Sequence, residues 1–349
     1  MPAAPDRQHY RLLSVESQIL ADNLLGDPCH RLLPVYLPPH YEREPQRRFP
    51  VVFSLAGYGG WGAQKLAEKS FEEPLHLQLD RWMDGGILEP MIVAFPDCFT
   101  RFGGAQYRNS MTTGHYQDHL SQELVALVDR ELRTVAHRDF RGAIGHSSGG
   151  YGALLLGMDR PEVFGHICST AGDGYFALTY PLDLGKAFQQ FRRYGGPAEF
   201  ARQFLSKRQR GGTEFGAMSI LAYAQAYSAD PQVPEVFCQL PFDLQTGELR
   251  QEVWQQWLSC DPLQLCGHHR EQLRSLHTLY LDAGISDEWC LDVATRVLSS
   301  RLKSLEIPHI HEEFDGGHMG CGWRIEASLA QISASLRRLA SSPQLSESR

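Results

Sequence analysis

The sequence sets a serine among small residues at Ala143-Ile144-Gly145-His146-Ser147-Ser148-Gly149-Gly150-Tyr151-Gly152-Ala153. A short apolar run, 142–144, leads into the Gly-x-Ser-x-Gly bend, and a helix-like segment, 151–158, leads out of it. A serine on such a strand–turn–helix bend has its hydroxyl lifted clear of the backbone, where it can attack an acyl carbon once a base takes its proton. The base in turn needs a third group to orient it, so an acid and a histidine should follow. Gly284-Ile285-Ser286-Asp287 follows one apolar run, and Phe314-Asp315-Gly316-Gly317-His318 follows another. Of the 15 histidines, His318 alone comes after a strand-like run and a double glycine that lets a loop bend back. Asp287 is the first choice of acid, although it also reads as a helix N-cap. Asp282, at the end of its strand, is the second choice, and Asp173, after the preceding strand, the third.

Attack by a serine builds a negative oxygen that needs two N–H donors, each worth about 3–4 kcal/mol in the transition state. The backbone amide of Ser148 supplies one. That of Tyr58, in the glycine-rich loop Gly57-Tyr58-Gly59-Gly60, supplies the other. The same loop carries Gly57-x-Gly59-x-x-Gly62, which matches the dinucleotide-binding fingerprint. Asp80 then stands near the place of its acidic residue, after Leu75-His76-Leu77-Gln78-Leu79 as a second strand. Two strands precede this loop, which counts against that alternative.

These groups need one sheet edge on which to meet. Strand-like runs fall at 9–20, 31–37, 49–56, 90–95, 142–144, 164–170, 276–282 and 307–314. Helical patterns start at Gln64 and cover 116–132, 151–158, 288–304 and 325–339. Strands alternating with helices mean an α/β sheet, mostly parallel and covered on both faces. The rhythm stops between Asp173 and Cys266. Residues 174–265 read as an insertion with helices at 184–194, 198–207 and 213–227 and loops at 228–249, lying over the strand ends as a cap. The core is then 9–173 and 266–339, with a polar lead-in at 1–8 and a disordered polar tail at 340–349.

With these motifs in order, the chain resembles the putative esterase family of α/β-hydrolases. That family includes S-formylglutathione hydrolases (esterase D), enterochelin esterase-like proteins, some feruloyl and acetylxylan esterases, and the mycolyltransferases. The resemblance runs from Leu25-Gly26-Asp27-Pro28 and Val35-Tyr36-Leu37-Pro38-Pro39 to Trp323, less the insertion. The bend resembles the family's Gly-His-Ser-Met-Gly-Gly-x-Gly-Ala, the Gly-x-x-Asp motif falls on Gly284 and Asp287, and Phe-x-Gly-Gly-His falls on Phe314 to His318. It implies an α/β-hydrolase fold with a mostly parallel eight-stranded sheet flanked by helices and a mainly helical cap. It implies a carboxylic-ester hydrolase with Ser147, Asp287 and His318 as catalytic residues, Tyr58 and Ser148 as oxyanion donors, and no metal or organic cofactor. The alternatives are an acyltransferase using an alcohol acceptor, and a non-catalytic binding protein on the same fold. Three departures stand out. Leu55-Ala56-Gly57 replaces a common His-Gly pair, Ser148 replaces the common Met, and the insertion is longer than in S-formylglutathione hydrolases. For the substrate pocket, Tyr175, Phe176 and Trp289 are expected walls, and Asp97, Gln106 and Asn109 expected polar contacts.

Composition narrows the partners. A net charge of −8, with no basic cluster beyond Lys207-Arg208-Gln209-Arg210, disfavours nucleic acid and anionic membranes. With 42% hydrophobic and 21% charged residues, the chain reads as an ordinary soluble protein acting on a small-molecule ester. It has no run of signal-peptide or transmembrane length, and its eight cysteines lack any Cys-x-x-Cys pair. A cytoplasmic location is the expectation. A histidine base also means that activity should fall below roughly pH 6 to 7.

Overall fold

The structure, a computed structural model, describes residues 10–67 and 70–341. The polar lead-in and nearly all of the polar tail lie outside the described residues. Eight strands make the central sheet: β1 Tyr10–Glu16, β2 His30–Tyr36, β3 Val51–Leu55, β4 Ile92–Ala94, β5 Arg141–His146, β6 His166–Thr170, β7 Thr278–Gly284 and β8 Ile310–Phe314. Their order across the sheet is β1-β2-β4-β3-β5-β6-β7-β8. β2 runs antiparallel to both β1 and β4, and all the other pairs are parallel. Every residue of β3, β4, β6 and β7 is buried, as expected of strands covered on both faces.

The two faces have separate cores because successive side chains of a strand point opposite ways. Val51 and Phe53 join Ala143 and Ile167 in one apolar cluster, under helices that include Val125–Glu131, Ser148–Asp159 and Leu291–Ser304. Val52 joins Ile144, Cys168 and Tyr280 in the other, under Leu75–Asp84 and Ile325–Ala340. Between β6 and β7 the helices Pro181–Tyr194, Pro197–Ser206, Gly212–Tyr227 and Gln251–Leu258 pack on a third cluster that contains Phe191, Phe200, Leu221 and Trp257. Tyr151 and Leu155 of the Ser148–Asp159 helix also belong to this third cluster.

Several boundaries differ from the sequence expectation, each for a visible reason. The first strand ends at Glu16, well short of residue 20, because the Glu123 carboxylate accepts the amides of Gln18 at 2.9 Å and Ile19 at 3.1 Å and draws the chain out of the sheet. The pattern from Gln64 gives only the 3-10 turn Gly62–Leu66; the α-helix is Leu75–Asp84. Its Leu75, Leu77 and Leu79 imitate strand alternation, but Leu79, Trp82 and Met83 are the buried face and Leu77 is exposed. The 116–132 helix carries a π-helical segment, His119–Leu124. Beyond the three helices that the pattern predicts, the insertion also forms Gln251–Leu258, held by Val253, Trp254 and Trp257, and the short helices Phe176–Thr179 and Pro262–Leu265. All eight cysteines carry free thiols. Among the described residues no helix is long and apolar enough to cross a membrane.

Candidate active site

The parallel strands point their C-terminal ends at one edge of the sheet, and the chemistry-bearing residues collect there. At the end of β5, Ser147 has φ 57° and ψ −126°, a backbone region that residues with a Cβ rarely occupy. The bend survives because its neighbours are glycine. A Cβ on Gly145 would lie 2.2 Å from the Gly149 carbonyl, and one on Gly149 would lie 2.5 Å from the Leu55 oxygen. Ser147 thereby lines a cleft of about 1030 Å³ that His318 and Asp173 line with it.

His318 reaches the cleft through the loop after β8. Ile285 donates its amide to the Phe314 carbonyl at 2.9 Å and Ser286 to that of Gly316 at 3.0 Å, which lays this loop against the loop after β7. A Cβ on Gly284 would come within 2.4 Å of the Gly316 oxygen, so the two loops meet only through glycine. Glu288 then accepts the His318 amide at 2.6 Å. The His318 Nδ1 lies 2.8 Å from Asp287 Oδ2, and both side chains are buried. The other oxygen of Asp287 accepts the amides of Trp289 at 2.9 Å and Leu291 at 3.2 Å. Burial alone would raise the Asp287 carboxyl, but His318 beside it and these two N–H groups outweigh burial and hold it below the usual carboxylate range.

The other two aspartates weighed as the acid do different work. Asp282 accepts hydrogen bonds from Arg324 Nε at 2.6 Å and the Tyr280 hydroxyl at 3.1 Å, in a network centred on Arg324, which also pairs with Glu312 at 3.0 Å. Asp173 is bonded to Gln106 and Ser148. Of the three, Asp287 is the one against His318. The two proposed N–H donors also flank Ser147. Ser148 opens its helix, where the first amides have no intrahelical acceptor. The Tyr58 amide donates to no acceptor among the described residues, and its loop is close enough that a Cβ on Gly57 would lie 3.4 Å from that of Ser147.

The dinucleotide alternative does not survive the fold. Asp80 sits within the Leu75–Asp84 helix, where it accepts the Tyr36 hydroxyl at 2.6 Å, and Gly62 packs so tightly on β4 that a Cβ would lie 1.9 Å from the Phe95 oxygen. The expected pocket residues need correction as well, since only Trp289 lines the cleft. Asp97 faces Arg31 at 3.5 Å and takes the Phe99 amide, so it braces its own loop. Asn109 accepts the Asp118 amide at 3.1 Å and caps a helix. Gln106 is buried behind the cleft wall, Phe176 belongs to the core of the insertion, and Tyr175 packs beside Ala171, Ala283 and Leu291. The walls missed by sequence reading are Tyr58, Trp61, Tyr180, Phe215, Tyr223 and Trp323. The signal for three of them was exposure, for Trp61, Phe215 and Trp323 are large apolar side chains left open to solvent. Among the described residues no group of three or more His, Cys, Asp and Glu side chains is placed to hold a metal ion.

A model of the putative esterase family matches residues 28–336. The chain belongs to that family. An endo-1,4-beta-xylanase/feruloyl esterase of Xylanibacter ruminicola is 28% identical over 151 residues, which is 40% of this chain and 19% of the relative. The protein YbbA of Bacillus subtilis is 25% identical over 155 residues, 42% of this chain and 58% of the relative. The match thus spans about a fifth of the first curated relative and somewhat over half of the second. Among solved structures, a ferulic acid esterase aligns with a TM-score of 0.61 at 16% identity, over 93% of this chain and 97% of its own. An S-formylglutathione hydrolase of Agrobacterium tumefaciens aligns with a TM-score of 0.55 at 17% identity, over 95% of each chain. These likenesses show a shared fold, that of the α/β-hydrolases, and the family is one of ester hydrolysis.

In this member of the esterase family the histidine before Ser147 has its own electrostatic place. The His146 and His318 rings lie 4.4 Å apart. Burial first, then the nearby His318 and Lys65, push the His146 imidazole down to about 3. His146 therefore stays neutral beside His318 well below the pH at which a free imidazole takes up a proton. The unfolded chain protonates His146 near 6.5 while the folded chain does not, so its contribution to stability is complete above pH 6.5 and is lost as pH falls toward about 3. Urea unfolding should show this. Between pH 6.5 and 5 the wild type should lose up to about 2 kcal/mol more stability than His146→Gln. Equal slopes for the two proteins would contradict the assignment.

Proposed function

We propose that the chain is a serine carboxylic-ester hydrolase that works through an acyl-enzyme. His318 takes the proton of Ser147 as its oxygen attacks the ester carbonyl, and the amides of Tyr58 and Ser148 receive the negative oxygen. Asp287 holds the imidazole with its proton on Nδ1 and stabilises the charged form. His318 then hands the proton to the leaving alcohol and activates a water to release the acid. The observation that carries this reading is that Ser147, on its strained bend, shares one cleft with a histidine whose far nitrogen is 2.8 Å from a buried carboxylate. The insertion 174–265 acts as a cap that sets specificity, since Tyr180, Phe215 and Tyr223 from it line the cleft.

The test is a burst assay with p-nitrophenyl acetate and butanoate, run beside a fluorophosphonate probe. A burst of about one p-nitrophenol per protein with covalent labelling is expected, because acylation precedes a separate hydrolytic step. A folded protein that neither bursts nor labels would end the serine-hydrolase reading. A cleft of about 1030 Å³ also has room for an acceptor alcohol. Adding one therefore distinguishes hydrolysis from acyl transfer by the ratio of free acid to new ester.

A further inference from the structure

Asp173 is a buried carboxyl at the cleft that the proposed triad leaves unused. It follows β6, is 5% exposed, and lines the cleft with Ser147. Its Oδ2 accepts two hydrogen bonds, from Gln106 Nε2 at 2.8 Å and from Ser148 Oγ at 3.2 Å. No donor among the described residues reaches Oδ1, and no lysine or arginine among them forms an ion pair with this carboxyl. Burial pushes Asp173 up, against the pull of Gln106, His318 and Ser148.

The carboxyl is also held in place. Gln106 is buried at a left-handed backbone position, φ 51°, and its Nε2 donates to the Tyr227 hydroxyl at 2.8 Å as well. The Tyr227 hydroxyl lies 3.3 Å from that of Tyr180, which lines the cleft from the insertion side. Asp173 thus presents Oδ1 from a chain of bonded groups that runs from Ser148 to the insertion.

Its position has a consequence for the reaction. Ser148, which binds Asp173 through its side chain, is the residue whose amide would receive the negative oxygen. Held ionised, an unpaired carboxylate so close would oppose that developing charge, and the cost of burying it without a cation is what pushes its carboxyl up. A cationic donor on the substrate relieves both, whereas a hydroxyl would supply only a hydrogen bond. The acyl half of the ester stays on Ser147 through both chemical steps, so a contact made there acts on both. Resting on the ester-hydrolase reading, we propose that Asp173 determines specificity by accepting a hydrogen bond at Oδ1 from a protonated amine carried on the acyl chain.

Two esters with acyl chains of equal length test this. p-Nitrophenyl 3-aminopropanoate carries an ammonium where p-nitrophenyl butanoate carries a methyl. The ratio of their kcat/KM values, divided by the ratio of their uncatalysed rates in the same buffer near neutral pH, removes intrinsic reactivity. Wild type should favour the ammonium ester by about tenfold or more, and Asp173→Asn should lose most of that preference. Because each protein is compared with itself on the butanoate, general damage from the substitution cancels. Wild-type turnover of both esters without such a preference, or a preference that Asp173→Asn keeps, would overturn the role of Asp173 and leave the hydrolase reading standing. Turnover of neither ester, with no burst from the acetate, would remove the hydrolase reading and this inference with it.

Discussion

Ser147→Ala is expected to fall by about 10⁵-fold or more in kcat, lose fluorophosphonate labelling, and keep its fold. Alanine retains the Cβ already accommodated on the strained bend, and the glycines that make room for it are unchanged. What disappears is the one oxygen that could carry the acyl group. His318→Ala should cost a similar factor, and the double variant little more than either single one, because a nucleophile without its base and a base without its nucleophile fail at the same step. Far-UV circular dichroism and the melting temperature of each variant separate loss of chemistry from loss of structure. Residual activity within tenfold of wild type in Ser147→Ala would mean that another group is the nucleophile.

Asp287→Asn is expected to lower kcat by about 10⁴-fold with little change in KM. The amide can still accept the N–H groups of Trp289 and Leu291 through its oxygen, but its NH₂ then faces His318 Nδ1. A donor there requires Nδ1 to accept, which moves the ring proton to Nε2, the nitrogen that must take the proton of Ser147. The comparison that makes this informative is Asp282→Asn, which cuts into the ion pair with Arg324 and should chiefly lower the melting temperature while kcat stays within about tenfold. A 10⁴-fold loss in Asp282→Asn with none in Asp287→Asn would reverse the assignment of the acid.

The bend at Ser147 and the loop that carries His318 were legible because both depend on backbone rules that leave marks in sequence. Gly145 and Gly149 are required by distances that no side chain satisfies, Gly284 by the approach of the His318 loop, and Gly317 by the Glu288 carboxylate, which would lie 2.8 Å from a Cβ there. The central strands were legible through their continuous apolar runs and the first two through alternation, although the exit of the first depends on Glu123, more than a hundred residues away, which no local pattern can announce. The carboxyl beside His318 was harder to read. Asp173 and Asp287 follow strands and Asp282 stands near the end of one, and only the loop path decides which carboxyl faces the imidazole. The pocket was least legible, since residues such as Gln106 and Asn109 are polar for reasons of loop and helix bonding that resemble substrate contact in a one-dimensional reading.

The helix Ser148–Asp159 serves two masters. Ala153, Leu154 and Leu156 pack into the sheet's core, while Tyr151 and Leu155 pack into the core of the insertion, and the Tyr151 hydroxyl donates to the Cys260 carbonyl at 3.0 Å. The inserted segment is therefore not a removable module. Trimming it would strip the far side of the helix that follows Ser147, and exchanging it for the insertion of a relative would transfer selectivity only if the residues matching Tyr151 and Leu155 travelled with it. Diversification of this chain is tied to the part of the fold that can least afford to change.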